Sequence, residues 1–150
     1  MQTMYPFWAG VISAVLAQAL KPFFNYIKTH EWNWSLLKDS GGFPSSHSAM
    51  VAALALAVGI QEQFSSTIFA VTLTVAVIVV YDAANVRYYS GQNIKITQQL
   101  VKDIHEKLNV DLGSPIYQTK VKNVLGHKWI EVIGGIILGM LVALIARFGI

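Results

Sequence analysis

The sequence predicts an all-α integral membrane protein: a helical bundle of four transmembrane spans plus a cytoplasmic amphipathic helix. Three observations predict it. Hydrophobic residues make up 54% of the chain and charged residues 13%, where soluble domains carry roughly 25% charged residues. Four apolar stretches divide the 150 residues, at about 5–26, 45–60, 67–86 and 129–150, and a span needs about 17–25 apolar residues. All but one of the basic residues fall in two segments on the same side of those spans. The length fits a single membrane domain, 1–150.

The first stretch is apolar from Tyr5 to Leu20 and reaches span length only by continuing through Lys21 and Pro22 into Phe23, Phe24 and Tyr26. Residues 1–20 hold no Lys or Arg, so the basic region of a cleaved signal peptide is missing and the segment reads as a retained span. The second stretch must begin near Ser45, inside a polar motif. Polar groups at membrane depth are costly and usually face a protein interior, so the two weak spans point to a site where they meet. The third and fourth stretches are long enough unaided. Gly134, Gly135 and Gly139 put small residues on the fourth span, the composition of close helix packing and a candidate homodimer interface.

Lys21, Lys28 and Lys38 precede the second span; Arg87, Lys95, Lys102, Lys107, Lys120, Lys122 and Lys128 lie between the third and fourth. Only Arg147 falls on the other side. By the positive-inside rule both basic segments are cytoplasmic, both termini are outside, and the membrane is the plasma membrane. A pI near 9.2 is then explained by a membrane surface, not by nucleic acid, because the bases are interleaved with apolar runs. Over 92–108, Ile94, Ile96, Leu100, Val101, Ile104 and Leu108 occupy one helical arc of about 160°. This predicts an amphipathic helix on the membrane surface or an ordinary helix packed on the bundle. Asp111, Gly113, Ser114 and Pro115 mark a turn after it. The chain has no cysteine, which excludes disulfides and thiolate metal sites.

Four groups of residues can carry chemistry. Gly41-Gly42-Phe43-Pro44-Ser45-Ser46-His47-Ser48 opens the second span with glycines, hydroxyls and a helix N-terminus, the makings of an anion cradle. Plain capping by Ser45 or Ser46 is the simpler reading, but His47 adds a titratable proton donor beside the cradle. His127 and Glu131 stand four apart at the start of the fourth span, so they share one helical face. A carboxylate bonded to one imidazole nitrogen fixes the tautomer and makes the other nitrogen a nucleophile or base; a satisfied interface pair would look the same. Asp82 and Arg87 follow the third span, and arginine's planar fork suits phosphate. Lys21 and Lys28, two helical turns apart, point the same way.

Taken together these pieces resemble the type 2 phosphatidic acid phosphatase family, and more closely its divergent branch. Family members share Lys, six residues, Arg-Pro; then Pro-Ser-Gly-His; then Ser-Arg, five residues, His, three residues, Asp. Lys21 and Lys28 occupy the first motif's basic positions, with Thr29 where proline would be. Pro44-Ser45-Ser46-His47 matches the second with serine for glycine, and His127 with Glu131 matches the end of the third with Glu for Asp. Lys120 and Val121 fall where Ser-Arg would be. Gly41 to Ala49, Tyr81-Asp82-Ala83-Ala84-Asn85-Val86-Arg87 and Leu125-Gly126-His127 look like the divergent branch specifically.

The resemblance implies a metal-independent, cofactor-free phosphatase acting on a lipid phosphate monoester or diphosphate at the cytoplasmic face. His127 is then the nucleophile that forms a phosphohistidine, His47 the general acid and base, and Glu131 the group that orients His127. Lys21, Lys28, Ser45, Ser46 and Arg87 would hold the phosphate, with Asp82 beside them and Lys120 or Lys122 in place of the missing arginine. The degraded first and third motifs keep a second reading open: a non-catalytic protein that binds or translocates phospholipid or isoprenyl-phosphate headgroups. A metal site built from His47, Asp82, His127 and Glu131 is a third.

Overall fold

Each of the four apolar stretches forms a helix over its described residues in the structure, a computed structural model that describes residues 4–39, 41–108 and 126–148. Helix α1 runs Tyr5–Thr29 and α2 runs Ser46–Glu62; α3 is Thr67–Tyr81 and α4 is Arg87–Leu108, joined by a π turn at Asp82–Val86; α5 is Trp129–Phe148. A short 3-10 turn, Trp34–Leu37, sits between α1 and α2.

The helix ends follow local chemistry. Pro22 lies inside α1 without ending it; helices tolerate such a proline when neighbours take up the freed carbonyl. The helix stops at His30, whose left-handed backbone (φ 57°) turns its N–H back to the Tyr26 carbonyl, the usual αL stop. Ser45 caps α2 by accepting from the Ser48 amide, and Ser66 caps α3 by accepting from the Phe69 amide. Each supplies one of the acceptors that a helix start lacks.

Residues 92–108 do not form a separate helix after the third span. They continue it: α3, the π turn and α4 make one rod from the membrane segment into the polar segment. No proline interrupts residues 67–108, so nothing forces a break, and the π turn absorbs the change of face. Ile96 and Leu100 remain exposed on α4.

Among the described residues, three helical segments are long and apolar enough to cross a membrane: Tyr5–Thr29, Thr67–Lys107 and Trp129–Phe148. Helix α2, with 17 residues, stands at the short end of the spanning range. It is nevertheless the centre of the bundle, packed against α1, α3 and α5.

The core is built from small residues. Ala9, Ala53, Ala57 and Ala143 form one buried cluster, and Ala83, Ala84 and Val132 another. The bulky side chains point outward: Val71, Ile78, Ile137 and Ile145 are all exposed. This inverts the soluble pattern and suits a lipid surround, where packing of small residues, not hydrophobic burial, brings helices together. Two hydroxyls lock the interior: Ser13 Oγ lies 3.0 Å from the Ala49 carbonyl, and Tyr5 donates to the Ala143 carbonyl at 2.7 Å.

The glycine face of α5 is spent inside the chain. A Cβ at Gly135 would run into the Ser45 carbonyl, one at Gly139 into the Ala49 carbonyl, and one at Gly134 into the Phe43 ring. The expectation that this face is a homodimer interface is therefore corrected: α2 and Phe43 already cover it. Gly139→Leu should lower the thermal unfolding midpoint in detergent, corresponding to about 1–3 kcal/mol of overpacking strain. Gly10→Ala, where the added carbon meets the Met50 carbonyl at 3.3 Å, should lose much less.

Candidate functional site

The site lies where the C-terminal half of α1, the N-terminus of α2, the π turn and the N-terminus of α5 meet. Backbone hydrogen bonds fix this junction before any side chain is considered. The Ser45 amide donates to the Glu131 carbonyl at 2.9 Å, and the His127 amide donates to the Ala83 carbonyl at 3.1 Å. Gly126 presses on the backbone of Arg87 and Tyr88, where any Cβ would clash. The segment leading into α5 thus follows the π turn closely, and glycine is the residue that permits it.

His127 is buried, at 2% exposure. Its Nδ1 lies 3.0 Å from Glu131 Oε2, and the same oxygen accepts from the Lys128 amide at 3.1 Å. Glu131 sits in the third position of α5 and reaches back to the amide that starts the helix, which is half of a capping box. One carboxylate therefore caps the helix and orients the imidazole. A carboxylate only accepts, so the proton belongs on Nδ1 and the lone pair on Nε2. Nε2 is buried and has no hydrogen-bond partner among the described residues. A buried polar atom without a partner is uncommon and invites a functional explanation.

His47, in the first turn of α2, faces His127 with ring centroids 6.4 Å apart. Lys21, Asp82, Arg87 and His127 all stand close enough for their charges to act on it. Helix geometry leaves the Ser46 and His47 amides without intrahelical acceptors, so the positive end of α2 points into the same space.

Lys21 is 1% exposed, with Nζ donating to the Asp39 carbonyl at 2.9 Å and Glu131 close enough for its charge to act on it. Gly42, at φ +95°, passes over the Lys21 stem, a conformation that favours glycine. Arg87 Nε bonds Asp82 Oδ2 at 2.6 Å. The π turn explains the pairing: its i to i+5 bonding, seen in the Arg87 amide donating to the Asp82 carbonyl, stacks residues five apart. Asp82 holds the guanidinium by Nε, and the outer nitrogens have no hydrogen-bond partner among the described residues.

Of the residues expected from the sequence, Lys21, His47, Asp82, Arg87, His127 and Glu131 converge. Ser45 is at the junction, where its hydroxyl oxygen accepts from the Ser48 amide and the Ser48 hydroxyl, and Ser46 stands beside it in the first turn. Lys28 is exposed near the end of α1 and is not among the charges acting on His47, because seven residues carry it about 10 Å along the axis from Lys21. Lys120, Lys122 and the turn at 111–115 lie outside the described residues. The four-residue metal site does not assemble among the described residues. Sequence reasoning missed Gln18, whose Nε2 lies 2.8–3.1 Å from the carbonyls of Leu36, Leu37 and Asp39. Its spacing of three from Lys21 was the available signal. A recess of about 220 Å³ beside His127 is lined by Asn85, Tyr88, Tyr89, Lys128 and Trp129.

The family model described as Divergent PAP2 family matches residues 3–142. Among curated proteins, the uncharacterized membrane protein YuiD of Bacillus subtilis (strain 168) is 34% identical over 151 residues, covering 97% of this chain and 96% of its own length. No solved structure matches.

Nitrogen NMR on histidine-labelled protein in detergent should find the neutral ring of His127 as the Nδ1–H tautomer, and Glu131→Ala should abolish that preference. An Nε2–H tautomer in the unsubstituted protein would contradict the assignment.

Proposed function

Because the chain belongs to the divergent PAP2 family, we propose that it is a metal-independent lipid phosphatase working through a phosphohistidine. The observation that carries this reading is His127: a buried imidazole, oriented by a carboxylate through Nδ1, whose Nε2 has no hydrogen-bond partner among the described residues. A structural histidine would have both nitrogens satisfied.

Nε2 of His127 attacks phosphorus, and the P–N bond forms as the ester P–O bond breaks. His47 gives its proton to the departing alkoxide, so the lipid leaves as an alcohol, or as a lower phosphate if the substrate is a diphosphate. Water then attacks the phosphohistidine, His47 takes its proton, the P–N bond breaks and inorganic phosphate leaves. Lys21, the Arg87 fork and the first amides of α2 neutralise the equatorial oxygens, the main task in phosphoryl transfer. Lys120 or Lys122 would add a further charge.

In the membrane, we read four crossings, with α2 as a short span of about 26 Å shielded by its neighbours. The charge bias then puts the site on the cytoplasmic side of the plasma membrane and both termini outside, with α4 projecting from the membrane on the site's side, its apolar stripe available to the lipid surface. A phosphate headgroup reaches the site while its tail remains in the bilayer.

Purified protein should release phosphate from lipid phosphates, unaffected by chelator. His127→Ala should abolish release, and His47→Ala should reduce it by about 10²–10⁴-fold. No release above His127→Ala across phosphatidate, phosphatidylglycerophosphate and isoprenyl phosphates would favour headgroup binding or translocation instead. The chain has no cysteine, so single substitutions report topology directly: Lys95→Cys should react with an impermeant thiol reagent only from the cytoplasmic side, and Ser65→Cys only from outside.

A further inference from the structure

Below the site the bundle is incomplete. Helix α3 packs on α2 and on the π turn but barely touches α5. The space left between them is an apolar groove of about 350 Å³, near the small end of the roughly 300–1,000 Å³ typical of ligand pockets.

Three rows of side chains line it, and each begins at the site. On α2 the row is Val51 and Ala55, and His47 stands one helical turn above Val51 on the same face. On α5 it is Ile136 and Met140, one and two turns beyond Val132. On α3 it is Leu73, Val77 and Val80, with Ala84 one turn above Val80. Val80 and Ile136 also pack on the Ala83, Ala84 and Val132 cluster, whose Ala83 carbonyl accepts the His127 amide. The groove therefore starts directly under the two histidines. Its far end is lined by Phe64, whose ring presses on Gly59 and packs edge-on against Phe69 at 5.1 Å. From Val80 to Phe69 is eleven helical residues, or about 16 Å.

We propose that this groove is an intramembrane slot for one hydrocarbon chain of the lipid phosphate, entered sideways between α3 and α5; the proposal rests on the phosphatase reading of the site above it. The lining is almost wholly apolar, and its open side faces where lipid would be. A second chain, if the substrate has one, stays in the bilayer. Chains in the bilayer are as apolar as the slot, so the slot selects by length and shape and sets where the phosphate stops.

The test is a series of n-alkyl monophosphates, from butyl upward and below their micelle concentrations, hydrolysed by the full chain in detergent. The kcat/KM should rise by roughly fourfold per methylene taken from water into the slot, then level off where the chain meets Phe64. Ala55→Phe, which fills the slot from its floor, should bring the plateau to a shorter chain. Leu73→Trp, from the more exposed α3 wall, should do the same if Ala55→Phe fails to fold. Plateaus at the same length in all three proteins would overturn the slot while leaving the phosphatase standing. If a second copy of the chain occupied the groove, light scattering would find these variants changed in oligomeric state with the chain-length profile unmoved, which also overturns it. Native mass spectrometry of hexadecyl phosphate supplies a readout independent of turnover. One-to-one retention by His127→Ala, lost when Ala55→Phe or Leu73→Trp is added, supports the slot even if no substrate is cleaved; equal retention in all of them contradicts it.

Discussion

The site depends on one contact, the seating of the first turns of α5 on the backbone of α2. Gly135 and Gly139 leave room for the Ser45 and Ala49 carbonyls, and no side chain fits between. That approach brings the Ser45 amide onto the Glu131 carbonyl, which joins the start of α2 to the start of α5. His47 and His127 each sit beside that joint, so their separation follows from backbone packing and not from flexible side chains. Groups held by rigid elements keep the geometry that catalysis requires.

The same economy runs through the rest of the bundle. Alanine and serine fill the interior because helices associating in lipid gain from close approach. Polar groups along α1 are tied down in turn: Ser13 to α2, Tyr5 to α5, Gln18 and Lys21 to the carbonyls near Asp39. Gln18 and Lys21 together hold the loop before α2 against α1, so Gly42 can cross the lysine stem. What remains unsatisfied is concentrated at His127 Nε2. Among the described residues it is the one buried polar side-chain atom without a partner, which makes it informative.

Much of this was legible in the sequence because hydropathy and motif spacing carry it. The helical class, the continuation of α1 through Pro22, the start of α2 at Ser45 and the His127–Glu131 pair all follow from local rules, and the family follows from its motifs. Other features needed three dimensions. The fusion of the third span with residues 92–108 depends on a π turn, which has no composition signal. Gly135 and Gly139 look identical whether they pack within a chain or between chains. Lys28 matches a motif position by spacing, yet the helix carries it away from the site, and the part played by Gln18 depends on carbonyls 18 to 21 residues further along the chain. Glu131 was legible as an orienting carboxylate, but its second duty as a helix cap was not.

The central claim is that His127 Nε2 becomes bonded to phosphorus, and the direct measurement is rapid quenching of turnover under alkaline conditions followed by mass spectrometry of the peptide containing His127. The account predicts a base-stable, acid-labile phosphoryl group on His127, absent from His127→Ala and persisting longer in His47→Ala, where water lacks its base. Phosphate release from lipid phosphates that proceeds with His127 never phosphorylated, or that continues in His127→Ala, would contradict it.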